Sequence, residues 1–187
     1  MSTFKRALLL LIRLYVGSQW LEAGWEKLHS PVWVGEKAGV AINGFFQGAL
    51  AKATGEHPAV QSWYAWFLKE IAIPSSGFFT YLIPIGETLV GLALILGAFT
   101  TFAAVMGAFM NLNFMLAGTT STNPILYTLE IVIIAAGATA GAYGLDHFLL
   151  PYVRPYWQRF LQALRLSGSG GLAGIAKARE TARQAGR

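Results

Sequence analysis

Four stretches of this 187-residue chain are apolar over lengths that match the thickness of a lipid bilayer, and no other feature narrows its folding options as far. They run from Ala7 to Leu28, Phe78 to Ala98, Thr101 to Gly118 and Ile125 to Leu145. About 20 apolar residues in a helix cross the roughly 30 Å hydrocarbon core. Lipid offers no partner to a bare N–H or C=O, so runs of this kind must be helical. Only 12% of the residues are charged and the mean hydropathy is +0.49, against about 25% charged in a soluble domain. Disorder, collagen and coiled coil are excluded on the same ground. The sequence therefore predicts an all-α integral membrane four-helix bundle.

The first run follows Lys5 and Arg6, as a signal peptide would. It continues through Glu22, Glu26 and Lys27 without a small-residue cleavage site, so it reads as a retained first span. Seven of the 14 Lys and Arg lie after Pro151, which puts the tail, and with it the N-terminus, in the cytoplasm by the positive-inside rule. The basic balance is thus a topology signal and gives no reason to expect nucleic acid. Residues 29–77 carry balanced charge and fall outside. There Val60, Trp63, Tyr64, Phe67, Leu68 and Ile71 share one helical stripe, which predicts an outer amphipathic helical segment between helices one and two. A weaker stripe, Val40, Phe45, Phe46, Ala49 and Leu50, precedes it. The pair reads as an aromatic interfacial anchor or as a lid over the bundle mouth. Residues 1–150 make up the bundle. Residues 151–187 form an interfacial helix, through Tyr152, Tyr156, Trp157, Phe160 and Leu164, and then a Gly/Ser linker and a flexible basic tail.

Ionisable groups inside spans are costly and are candidates for function by default. Counted inward from the outer end of each span, Glu22 lies about 9 Å deep, Glu87 about 14 Å, Asn111 about 11 Å and Glu130 about 8 Å. Each helix thus supplies a polar group to one layer. Thr80, Pro84, Glu87, Gly91 and Leu94 share a face, as do Gly107, Asn111, Phe114 and Gly118, and Tyr127, Glu130, Ile134, Gly137 and Gly141. On helix one, Arg13, Gly17, Trp20, Gly24 and Lys27 form a stripe nearly opposite Glu22 and Glu26, so one site is not expected to receive both. Arg13 either snorkels inward or pairs with a mid-depth carboxylate. Carboxyl groups kept from water can hold and release protons near neutrality, which suits the two-proton chemistry of a quinone. Interhelical hydrogen bonding as structural glue is the plainer reading of the same residues. The Gly137 and Gly141 stripe suits a homo-oligomer as readily as packing within one chain.

Zero cysteines exclude disulfides, iron–sulfur clusters, c-type haem and thiol catalysis. His29 and His147 sit at opposite edges, and no spacing suggests metal, haem or flavin. A mixed metal site of His29 with Glu22 or Glu26 is the one arrangement that helical phase allows.

Within "RLYVGSQWLEAGWEKL", "GETLVGLALILGAFT" and "NLNFMLAGTTSTNP", Arg13, Gly17, Gly24, Lys27 and the segments Gly86 to Thr100 and Asn111 to Pro124 resemble the DoxX/DoxD-like four-helix membrane family over residues 5–150. The likeness is closest to the DoxD type, the membrane subunit of thiosulfate:quinone oxidoreductase. Where members often carry an Arg after helix two, this chain reads Gly97, Ala98, Phe99, Thr100, Thr101. The resemblance implies oxidation of thiosulfate to tetrathionate on the outer side, a thiosulfate dehydrogenase activity with quinone as electron acceptor. For that reaction Glu87 and Glu130 are the expected proton carriers, and Arg13 orients helix one or a carboxylate. Asn111 and Tyr127 would donate to the quinone, with Trp20 or Trp25 as ring platform. Lys27, His29, Asn123 and the amides after Pro124 would meet the anion. Besides the lipid bilayer, a second small redox subunit is the partner expected. A non-catalytic accessory or assembly subunit is the main alternative. A small proton-coupled transporter is disfavoured by the absence of an inverted repeat.

Overall fold

The computed structural model describes residues 3–153, 155, 156, 158, 159 and 162. Trp157, Phe160, Leu164, the Gly/Ser linker and the basic tail lie outside the described residues. The chain divides into residues 1–147 and 148–187. In the second unit every described residue is helical.

Among the described residues the first unit is all-α. Its helices are α1 (Thr3–Leu28), α2 (Val40–Ala51), α3 (Ser62–Phe67), α4 (Ser76–Leu96), α5 (Thr100–Leu116) and α6 (Asn123–Ala136). A π turn, Leu68–Ala72, extends α3, and a 3-10 turn, Gly137–Thr139, follows α6. Helix α1 packs on α4 and α6, and α5 on the same two, so these four close into a ring. Among the described residues only α4 is both long and apolar enough to cross a membrane by length and composition. Helix α1 is longer but carries Arg13, Glu22, Glu26 and Lys27, whereas α5 has 17 residues and α6 has 14.

Helices α1 and α4 approach so closely that a Cβ on Gly91 would overlap the backbone of Leu21. The contact is built from small residues, which let two helix backbones meet. The inward faces of α1, α4 and α5 follow the stripes read from sequence. Arg13, Gly17, Trp20 and Gly24 are buried, as are Thr80, Pro84, Glu87, Gly91 and Leu94, and Gly107 and Asn111.

Helix α6 departs from expectation in two ways. It stops at Ala136 instead of running to Leu145, because Gly137 takes φ 55 and ψ −135, open chiefly to glycine. Its buried face is Leu126, Glu130 and Ile133, so Tyr127 is only half-buried.

The outer segment forms its own apolar core, in which Ile42, Phe46 and Ala49 of α2 meet Val60, Tyr64, Leu68, Ala72 and Ala117. The stripe expected over Val60 to Ile71 is broken. Helix begins only at Ser62, and Trp63 and Ile71 are exposed. Buried positions recur instead at Tyr64, Leu68 and Ala72, a four-residue spacing that the wider π turn keeps in line. Tyr64 donates its hydroxyl to the carbonyl oxygen of Asn113 at 3.0 Å and Lys52 donates to that of Gly118 at 2.9 Å, fastening this layer to the end of α5.

Candidate functional site

Three buried polar groups from three helices meet in the ring. Glu130 of α6 is fully enclosed; its Oε1 accepts from Trp20 Nε1 at 2.6 Å and its Oε2 from Asn111 Nδ2 at 2.8 Å. Room for the carboxylate comes from Gly107, one turn before Asn111 on α5, where any Cβ would overlap Glu130 Oε1. The Asn111 amide spends its nitrogen on Glu130, and its oxygen, also buried, has no partner. A buried acceptor left unmade is expensive, and Asn111 is among the residues that line a cavity.

That cavity has a volume of about 390 Å³ and lies between the C-terminal halves of α1 and α5, the middle of α4 and the turn before α6. On its α4 side Glu87, also buried, is held by Lys27, whose Nζ lies 3.0 Å from Oε1 and 2.8 Å from Oε2. Lys27 also donates to the Ala23 carbonyl at 3.2 Å and stands 5.6 Å from the centre of the Trp33 ring. Instead of reaching for water, its ammonium turns into the bundle. Glu22 and Glu26 line the same cavity as Trp20 and Lys27. The two faces of α1 expected to be incompatible are therefore joined, because the cavity wraps round the end of that helix.

Of the residues singled out from sequence, Trp20, Lys27, Glu87, Asn111 and Asn123 line this cavity, and Glu130 stands directly behind Trp20 and Asn111. Asn123 Nδ2 donates to the Thr119 carbonyl at 3.1 Å. Trp25 and His29 are not in the lining. They stack on each other with ring centres 4.3 Å apart, and Trp25 is 58% exposed. Tyr127 is not in the lining either.

Arg13 sits near the opposite end of the ring. It is 1% exposed and donates to the Ala140 and Tyr143 carbonyls, each at 3.1 Å. Neither snorkelling nor a mid-depth carboxylate describes it. The nearby charge is Asp146, which attracts the guanidinium and accepts from the Phe99 and Thr100 amides at 2.6 and 2.8 Å.

The residues that sequence reasoning missed are Trp33, Phe45 and Asp146. The first two reach the site from the outer segment, where periodicity cannot say which ring turns inward. A signal for Asp146 did exist. Helix α5 starts after Phe99, a residue without a capping side chain, so its first amides needed an acceptor from elsewhere. Among the described residues no three His, Asp or Glu are grouped as metal ligands.

No curated protein and no solved structure matches the chain. A family model for DoxX matches residues 8–120, more than half of the chain, from within α1 to just past the end of α5. With Lys27, Glu87 and Asn111 inside the matched span, the chain belongs to the DoxX family, which is membrane-associated.

Proposed function

We propose that this chain is a multi-pass membrane protein, with α1, α4, α5 and α6 as its spans and both termini cytoplasmic, and that it is a quinone-linked oxidoreductase subunit. The bundle supports the membrane reading by being apolar outside and polar within. Phe78, Leu89 and Phe102 are among many large side chains left more than half exposed, whereas Arg13, Glu87, Asn111 and Glu130 are buried. Large apolar side chains exposed in such number suit lipid.

The single observation that carries the redox reading is Asn111, its oxygen unpartnered, lining a cavity together with the buried Glu87 and bonded through its nitrogen to the buried Glu130. Two-electron reduction of a quinone takes up two protons and yields a quinol with two hydroxyls. Glu87 and, through Asn111, Glu130 are the groups that would hold those protons. The Asn111 oxygen and Glu87 are acceptors suited to quinol hydroxyls, and Trp20 is the ring that would border them. Arg13, Tyr127, Trp25 and His29 lie outside this arrangement.

The thiosulfate half of the reaction receives less support from the lining. Glu22, Glu26 and Glu87 face the cavity with Lys27, which Glu87 already engages, and a dianion would meet net negative charge. We therefore assign the quinone side to this chain. The electrons would come from a second redox subunit or from thiosulfate bound outside the cavity.

The test is quinone-analogue reduction by the protein in nanodiscs, with thiosulfate present or omitted, for wild type, Glu87→Gln and Glu130→Gln. Turnover that falls by about 100-fold or more in either variant, the usual scale for a lost proton-transfer group, supports the reading. Folded wild-type protein without turnover favours the accessory-subunit alternative.

A further inference from the structure

A second cavity, of about 350 Å³, lies under the outer segment between α2, α3, α4 and α5. No charged side chain lines it. Its polar residues, Tyr64 and Asn113, are bonded to each other, and the rest of the wall includes Phe67, Phe79, Ile83, Met106 and Met110. Phe45 and Phe114 line both this cavity and the acidic one, meeting edge to face with centroids 6.0 Å apart. The two cavities therefore adjoin at these two aromatic rings. One side offers carboxyl groups and an unpartnered amide oxygen; the other offers only hydrocarbon and satisfied polar atoms.

We propose that the apolar cavity holds the prenyl chain of the quinone whose ring lies in the acidic cavity, with Phe45 and Phe114 flanking the junction. This rests on the function proposed above and adds a binding site for the chain. The chemistry on either side of the junction is that of an amphiphile with a hydrogen-bonding ring and an apolar chain. Taking a water's share of liquid volume, about 30 Å³, as the unit, the second cavity has room for about a dozen methylene-sized groups, or two to three isoprene units. Met106 and Met110 supply flexible walls that adapt to such a chain. Gly86 opens it further, since a Cβ there would make only ordinary contact with Met110, 3.5 Å from its sulfur.

Two photoreactive benzoquinones in nanodiscs separate this site from the reading beneath it. One carries an azide on the ring and no chain; the other carries a ten-carbon chain ending in a diazirine. The ring probe is expected to label Trp20, Asn111 or Phe114, and the chain probe Phe67, Phe79 or Met106. Gly86→Leu and Met106→Phe, on α4 and α5, should each cut chain labelling by at least about tenfold, the worth of roughly two lost methylene contacts, while ring labelling stays unchanged. Chain adducts on the exposed Leu89 or Phe102 with ring adducts still in the acidic cavity would put the chain in bulk lipid and overturn the chain site alone. So would a phospholipid retained in native mass spectra with no chain adducts. Failure of the ring probe to label the acidic cavity overturns the quinone reading and the chain site with it.

Discussion

Gly107 is the position on which the Glu130 arrangement depends. A methyl group there would overlap Glu130 Oε1 and lie 3.0 Å from Trp20 Nε1, so the carboxylate could not keep both donors. Gly107→Ala is expected to destabilise the protein by about 1–3 kcal/mol, the usual scale for overfilling a packed interior, seen as a lower thermal midpoint in detergent. Gly86→Ala is the matched control, because its Cβ makes ordinary contact and should leave the midpoint unchanged. At this scale much was legible beforehand. Glu87, Asn111 and Glu130 announce themselves because polar groups in an apolar run are costly unless they meet one another. What a side chain does at a helix end is harder to read. Lys27 and His29 are two residues apart, yet one turns into the bundle toward Glu87 and the other stacks on Trp25, since side chains two apart point to nearly opposite sides of a helix and only the neighbouring elements decide which of them finds a partner.

The elements show the same division between what is local and what is not. Helices α1, α4 and α5 follow from apolar periodicity, because each buries one continuous stripe. The end of α6 and the capping of α5 are long-range facts. Asp146 closes α5 from 46 residues away, and Phe99, just before it, adopts φ 49. Asp146→Ala removes both acceptors and the charge that attracts Arg13. It should cost about 2 kcal/mol, the upper range for a helix cap, and should speed hydrogen exchange at Thr100 ahead of the rest of α5. The outer layer carries its own test. Burial pushes the Tyr64 hydroxyl from 10.0 up to about 12, so the folded state keeps a proton that the unfolded chain releases. The stabilisation is therefore complete below about pH 10 and is lost as pH rises through about 12. Thermal midpoints followed over that range should fall more steeply for wild type than for Tyr64→Phe, which has no hydroxyl to titrate.

For the whole molecule the decisive question is how many times the chain crosses the bilayer. Helix α4 alone passes on length and hydropathy, whereas α5 and α6 are short and α1 is charged. Yet a helix need not be uniformly apolar when its polar groups face its neighbours. Arg13 donates to carbonyls after α6, Glu87 to α1 is bridged by Lys27, and Glu130 is shared by α1 and α5, so the exposed remainder of each helix is largely hydrocarbon. Hydropathy counted one helix at a time leaves this pairing out of account, and the four-span reading rests on the four runs taken together. A chain with no cysteine lets the question be put directly. Single cysteines at Glu56 in the outer segment and at Ser169 in the Gly/Ser linker, tested with a membrane-impermeant maleimide on intact cells, should differ completely. Glu56→Cys is expected to react from outside, and Ser169→Cys only after the membrane is opened. Labelling of both from outside, or of neither, would contradict the four-span arrangement, and labelling of Ser169→Cys alone would invert it. The last outcome would turn the acidic cavity toward the cytoplasm and reverse the side on which quinone-linked protons are exchanged.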